Sequence, residues 1–306
     1  MTLTAPAQPR KDGAPPDRGR RTLGASARRS MWATAAAMLL PAVIALALLR
    51  LWPSISAIAA SLRPEDGRPV WYTFERLFAD PTFIGSLKVT LLFGVIINPL
   101  QIALALWLAV TLSKRVPAAG LWRTLILLPV AVPQTVSAIV WSVAFRPEGP
   151  LNGVANALGL PSIPFLTSPD TAMFSIIVVC SWVGVGYWMT FLVAGVKDIP
   201  RSLYEAAAID GAGAWNTFRH ITLPGLRRPL MFVLVADTVS NFLVFAPVQI
   251  LTQGGPEGST DLIMNQVFER AYVTGDTATA SAGTVVLIAI VLAVVVVQFR
   301  LLPGKD

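Results

Sequence analysis

Cysteine and histidine each occur once in the 306 residues, as Cys180 and His220. A lone cysteine forms no intramolecular disulfide, and with a single histidine there is no Cys/His zinc cluster. Charge is scarce as well: 13% of residues are charged against 54% hydrophobic, a balance far too apolar for a soluble domain of this size. There is no HExxH, no P-loop ending in GK[ST] and no GxSxG, so catalysis and nucleotide binding lack their usual residues. The net charge of +7 does not point to nucleic acid, because no aromatic RNA-binding motif or basic helix accompanies it. Most of the basic residues flank apolar runs instead.

Six such runs reach the roughly 20 residues that a bilayer-crossing helix requires. They lie at about 33 to 53, 84 to 112, 122 to 145, 173 to 196, 229 to 251 and 282 to 302, with ends set to within about 2 to 4 residues. The expected fold is therefore all-α and integral to a membrane. Asn98-Pro99, Pro129 with Pro133, and Pro247 are expected to interrupt helices, which membrane bundles tolerate because neighbouring groups satisfy the freed carbonyls. Asp237 is the one acidic residue well inside a span, one turn before Asn241, and no Arg or Lys lies well inside the spans so drawn. A carboxylate at that depth should face the bundle interior, a cavity or a partner.

Orientation follows from the basic residues near the helix ends. Arg10, Lys11, Arg18, Arg20, Arg21, Arg28 and Arg29 precede the first run, and Lys114, Arg115 and Arg123 follow the second. Lys197, Arg201, Arg219, Arg227 and Arg228 follow the fourth, on the same side. The opposite loops offset Arg63, Arg68, Arg76, Arg146 and Arg270 with acids such as Glu65, Asp66, Glu75, Asp80 and Asp276. Both termini are expected in the cytoplasm. Residues 1–30, rich in Pro, Gly, Ala and Arg, read as a disordered basic tail ahead of a domain over 31–306. An uncleaved first helix suits the chain better than a cleavable signal.

Between the fourth and fifth runs, over about 197–228, lies a polar island that reads as a docking surface. Pro200 suits a first helical turn, and Leu203, Ala206 and Ala207 can share one face. Gly211 and Gly213 permit a reversal. Trp215 and Phe218 open a second short helix that Leu223-Pro224 is expected to end. Small alanines allow a partner to approach closely. The spacing, Glu205-Ala206-Ala207, then three residues, Gly211, nine residues and Ile221-x-Leu223-Pro224, resembles the cytoplasmic coupling loop of permease subunits from binding-protein-dependent ABC importers.

Further stretches extend that resemblance from the third run to the sixth. They are Leu128-Pro129 to Pro133, Gly149-Pro150-Leu151-Asn152, Trp182-x-Gly184-x-x-Tyr187, and Leu251-Thr252-Gln253-Gly254-Gly255-Pro256 with Ser259-Thr260. Together they are similar to the carbohydrate branch, the maltose-type and glycerol-phosphate-type permeases. The resemblance implies six transmembrane helices in a bacterial cell membrane and a second, different permease subunit. It also implies two cytoplasmic ATPases that bind the ATP and magnesium, and an extracytoplasmic solute-binding protein. The chain itself would need no cofactor or metal, and would be no enzyme. Its coupling residues would be Glu205, Ala206, Ala207, Gly211, Ile221, Leu223 and Pro224.

Sugar recognition calls for hydrogen-bonding side chains and an aromatic face in a concave site. By alignment with the maltose-type permease, Gln134, Trp182, Gly184, Tyr187 and Asn241 match positions lining its sugar pocket. The chain departs from that relative after Asn241-Phe242, where Leu243 and Val244 replace two further asparagines. Packing aromatics and interhelical hydrogen bonding are the competing roles for these residues. The solute expected is a sugar or related compound; a polyol, glycerol phosphate or glycerophosphodiester is the alternative. A membrane enzyme or signalling scaffold would need a clustered catalytic set, which the spans lack.

Overall fold

The computed structural model describes residues 25–62, 71–113 and 117–301. Most of the expected basic tail, with Lys114, Arg115, Arg63, Glu65, Asp66 and Arg68, lies outside the described residues. Helix begins at Ala25, ahead of the tail boundary expected at 30, in an alanine-rich segment of high helix propensity. Two compact units divide the chain, Met1–Ser54 and Ile55–Asp306. In the first, α1 (Ala25–Leu46) carries Pro41 inside it and leads into a π-turn, Ala47–Leu51. Helix α2 (Trp52–Ser61) completes a candidate span, Trp32–Ser61, that straddles the division.

In the second unit α3 (Tyr72–Ala79) leads into α4 (Pro81–Ser113). This 33-residue helix runs through Asn98-Pro99 without the expected interruption. Packing explains its continuity. Phe93 and Ile97, before the proline, meet Ile176, Ile177 and Cys180 of α8 (Pro169–Asp198); Ala105 and Ala109, after it, meet Trp188, Met189 and Leu192 of the same helix. Early residues meet early and late meet late, so α4 and α8 run parallel and their first turns share one end of the bundle.

The third apolar run is not one straight helix. Helix α5 (Ala119–Leu127) passes through a 3₁₀ turn, Leu128–Ala131, and α6 (Gln134–Ala144) leaves at 99° to that first half. The residue before a proline is disfavoured in helical conformation, and Val132, before Pro133, is extended at φ −92°, ψ 126°. Helix α7 (Pro150–Ala157) follows, then α8. The hairpin after α8 holds α9 (Arg201–Ile209), α10 (Ala214–Thr217), a π-turn at Phe218–Thr222 and α11 (Leu223–Gly225). The fifth run forms α12 (Arg227–Phe242) and α13 (Ala246–Leu251). Its break falls at Leu243 to Phe245, ahead of Pro247, which sits in the first turn of α13 where its missing N–H costs nothing.

Helix α14 (Ile263–Phe268) and a π-turn precede the last helix, α15 (Thr277–Leu301). Leu77, Phe83, Phe242, Ile263, Ala282 and Leu287 form the core that joins these elements. Among the described residues all regular elements are helical, with five helices long and apolar enough to cross a membrane, or six if the bent pair is one span.

Candidate functional site

The hairpin occupies the end of the bundle where α8 finishes and α12 begins. Glu205 and Ala206 are exposed on α9, as are Ala208 and Ile209. Ala207 turns inward and is buried, so it does not share an outer face with Leu203 and Ala206 as the spacing suggested. Gly211 makes the reversal at φ +72°, with nothing near the position a Cβ would take. Tyr204 and Thr222 hydroxyls meet at 3.1 Å and close the hairpin across its two arms. Leu223-Pro224 does not stop the second arm: the helical path continues to Gly225, because Pro224 lies in the first turn of α11 and blocks no hydrogen bond there. Leu223 and Pro224 are exposed and Ile221 is half-buried. A groove of about 660 Å³ beside the hairpin is bordered by Ile199, Pro200, Leu203, Ile221 and Pro224.

Midway through the bundle, polar side chains from four long helices converge. Asn241 Nδ2 donates to Asn98 Oδ1 at 2.7 Å, Asp237 Oδ1 at 3.1 Å and Gln101 Oε1 at 3.2 Å. Two hydrogens shared among three acceptors leave this amide nothing to donate to a solute in this arrangement. Gln101 Nε2 reaches Ser181 Oγ at 3.3 Å, and Thr238 Oγ1 accepts from Gln298 Nε2 at 2.7 Å and Asn98 Nδ2 at 3.3 Å. Asp237 is fully buried within this node. Gly184 belongs to it as a space: a Cβ there would lie 2.8 Å from Gln101 Oε1. Gln101, Ser181, Thr238 and Gln298 were missed in the sequence, although a polar residue inside an apolar run is itself a signal.

Of the remaining expected pocket residues, Trp182 makes none of the node's hydrogen bonds. It meets Trp141 edge-on at 5.7 Å between ring centres, along an apolar groove of about 580 Å³ that Trp122, Leu125 and Pro129 also line. Its neighbour Ser181, which accepts from Gln101 in the node, borders the same groove. Tyr187 is exposed and packs against Trp188 and Phe191. Gln134 is exposed at the start of α6, just past the 99° bend. Asn241 and Gly184 are thus joined through Gln101, while Gln134, Trp182 and Tyr187 lie outside that node. The helices also run longer than the apolar runs: Arg50 and Lys88 stand inside Trp32–Ser61 and Pro81–Ser113, both exposed, so the spans are not free of basic residues. Among the described residues no three His, Cys, Asp or Glu gather as a metal site.

At the end away from the hairpin the short motifs acquire structural reasons. Asn152 is buried, donates to Arg146 O and Ile163 O and accepts from Ile163 N at 2.7 Å. A Cβ on Gly149 would strike the carbonyl oxygen of Val143 at 2.6 Å. In the Gly-Gly-Pro loop, Thr260 bonds Thr252 and Gly255 O, each at 2.7 Å, and Gly254 at φ +87° lies against Asp261 and Asn265. Asp261 accepts from Ser86, Asn265 and Gln266. Two ion pairs, Asp80 with Arg270 and Asp276 with Arg76, fasten α3, α4, α14 and α15 there. Burial pushes the Asp80 carboxyl up, but the Arg270 guanidinium and the Thr82 N–H outweigh it and hold the pKa below the usual range. Asp276 follows the same pattern, with burial opposed by Thr279, Arg76 and Arg270.

Residues 101–305 match the family described as binding-protein-dependent transport system inner membrane component. The chain is 31% identical over 268 residues to the sn-glycerol-3-phosphate transport system permease protein UgpA of Agrobacterium fabrum, covering 85% of this chain and 91% of that one. Its fold resembles that of a bacterial ABC transporter for import of the acidic polysaccharide alginate, with TM-score 0.79 and 21% identity over 92% of this chain and 98% of that one. A second crystal structure, the alginate transporter with an alginate pentasaccharide-bound periplasmic protein, gives TM-score 0.79 and 22% identity over 90% and 95% of the two chains. With these matches and its apolar helices, the chain belongs to the binding-protein-dependent transport system inner membrane components and is a multi-pass ABC importer permease.

Proposed function

We propose that this permease carries a sugar or a related solute across a bacterial cell membrane by alternating access, driven by ATPase subunits docked on the hairpin of α9 to α11. The observation that carries the reading is the hairpin itself. Its arms are braced by Tyr204 and Thr222, it turns at Gly211, and it presents Glu205, Ala206 and Leu223-Pro224 outward beside a groove. A braced hairpin continuous with α12 transmits a push as a lever, provided its contacts differ between the two states. The chain would neither bind ATP nor catalyse its hydrolysis. A different permease subunit would supply the other half of the path, and an extracytoplasmic binding protein would deliver the solute. Both termini and the hairpin would face the cytoplasm, as the basic residues suggest.

Glycerol phosphate is the second reading, favoured by the Agrobacterium fabrum relative and by Lys88 within α4. The test uses the complex reconstituted with its binding protein in liposomes. Glu205→Lys should abolish ATPase stimulation by loaded binding protein while solute binding to that protein is unchanged; full stimulation and transport would exclude the hairpin as the coupling element. Uptake of glycerol 3-phosphate sensitive to Lys88→Gln would select the second reading, and uptake of a neutral saccharide indifferent to it would select the first.

A further inference from the structure

Where α12 leaves the hairpin, a groove of about 390 Å³ opens between α12 and the last turn of α15. Its mouth carries Arg227 and Arg228, and its walls are Met231, Phe232, Val235 and Phe299. The arginines stand at the first two positions of a bilayer-crossing helix, and the apolar side chains follow one to two turns deeper. Gln298 donates to Thr238 at 2.7 Å, which fixes the last turn of α15 against α12 and so holds Phe299 in the wall. Arg227 is half-buried and Arg228 is exposed, and both border the groove.

We propose that this groove binds an anionic phospholipid from the leaflet on the hairpin's side, with the phosphate at Arg227 and Arg228 and an acyl chain along Met231, Phe232, Val235 and Phe299. Charge at the headgroup level and apolar walls at acyl depth are the two things such a lipid needs, in the right order along the membrane normal. A free phosphate would gain nothing from the walls. A zwitterionic lipid would gain less at the mouth.

The test is lipid analysis of the complex purified from cells, paired with native mass spectrometry after exchange into phosphatidylglycerol or phosphatidylcholine. Wild type should retain phosphatidylglycerol in preference to phosphatidylcholine. Arg227→Gln with Arg228→Gln should weaken retention by roughly fivefold for each arginine, as removing one basic group from a charged surface does. The double lysine variant should keep most of it. Ala236, which also borders the groove, offers a second route that leaves the charges alone: Ala236→Trp should expel the lipid by filling the acyl path. If the glutamine variant does not assemble, the wild-type and Ala236→Trp arms decide. Equal retention of the two lipids by wild type, or Ala236→Trp retaining as much phosphatidylglycerol as wild type, would overturn the proposal. So would a crosslink from Val235→Cys to another subunit, because a protein segment would then occupy the groove.

Discussion

Gly211 has open space where a side chain would go, yet its φ of +72° is what a side chain would have to pay for in strain. Placing an ordinary L-residue in that region costs roughly 1–2 kcal/mol, and asparagine tolerates it best. Gly211→Val should therefore lower the ratio of transport to ATP hydrolysis, and Gly211→Asn should restore most of it; equal loss in both would mean size or polarity matters there, not backbone conformation. Asn241→Leu is the sharper test of the polar node. It strips a donor from Asn98, Gln101 and Asp237 together, and each acceptor left buried without a donor costs roughly 1–3 kcal/mol. The melting temperature of the purified complex should fall, whereas a residue serving only as a solute contact would leave it unmoved. The Asp237 and Asn241 pair was legible, because i, i+4 spacing puts them on one face. Gln101 was not, because no periodicity reveals which helix lies across from it.

Among elements, the apolar runs marked the spans well and their interruptions poorly. Proline alone does not say whether a helix breaks: Pro99 is carried through α4 by contacts with α8 on both sides of it, while Pro133 follows an extended Val132 and coincides with the 99° bend. On the hairpin Glu205 and Ala206 are exposed while Ala207 is buried, and an uninterrupted run of three alanines, Ala206 to Ala208, gives no cue to which member points inward. The ion pairs joining α3, α4, α14 and α15 lay beyond sequence reasoning because their members are about 190 and 200 residues apart. Both carboxylates have folded-state pKa values below the usual range. Their contribution is complete above the ordinary aspartate pKa and is lost as pH falls through the lowered folded value. Thermal melts of the complex should thus be flat in this respect near neutrality and fall in strong acid, and Asp80→Asn with Asp276→Asn should make the acid limb shallower. An unchanged acid limb would show that these pairs do not govern it.

For the whole molecule, the basic residues at the helix ends set the expected orientation. Reporters fused after Arg219 should read cytoplasmic, and those at Asn156 and Gly258 should read external; an external signal at Arg219 would invert the molecule and detach the hairpin from any cytoplasmic ATPase. The six-span plan was legible because bilayer thickness imposes a length on every crossing segment. Which spans meet was not, because apolar faces in lipid lack the polar contrast that marks an interior in water. The polar node also bears on how the chain is made. An aspartate at the centre of a span costs about 2.5 to 3.5 kcal/mol during insertion, so α12, bearing Asp237, Thr238 and Asn241, is the difficult segment to deliver to the bilayer. Synthesis runs from the N-terminus, and Asn98, Gln101 and Ser181 are on helices made earlier; of the node's members outside α12 only Gln298 comes afterwards. The order of the chain places the receiving side chains in the membrane before the helix that needs them, and the last helix arrives as the latch.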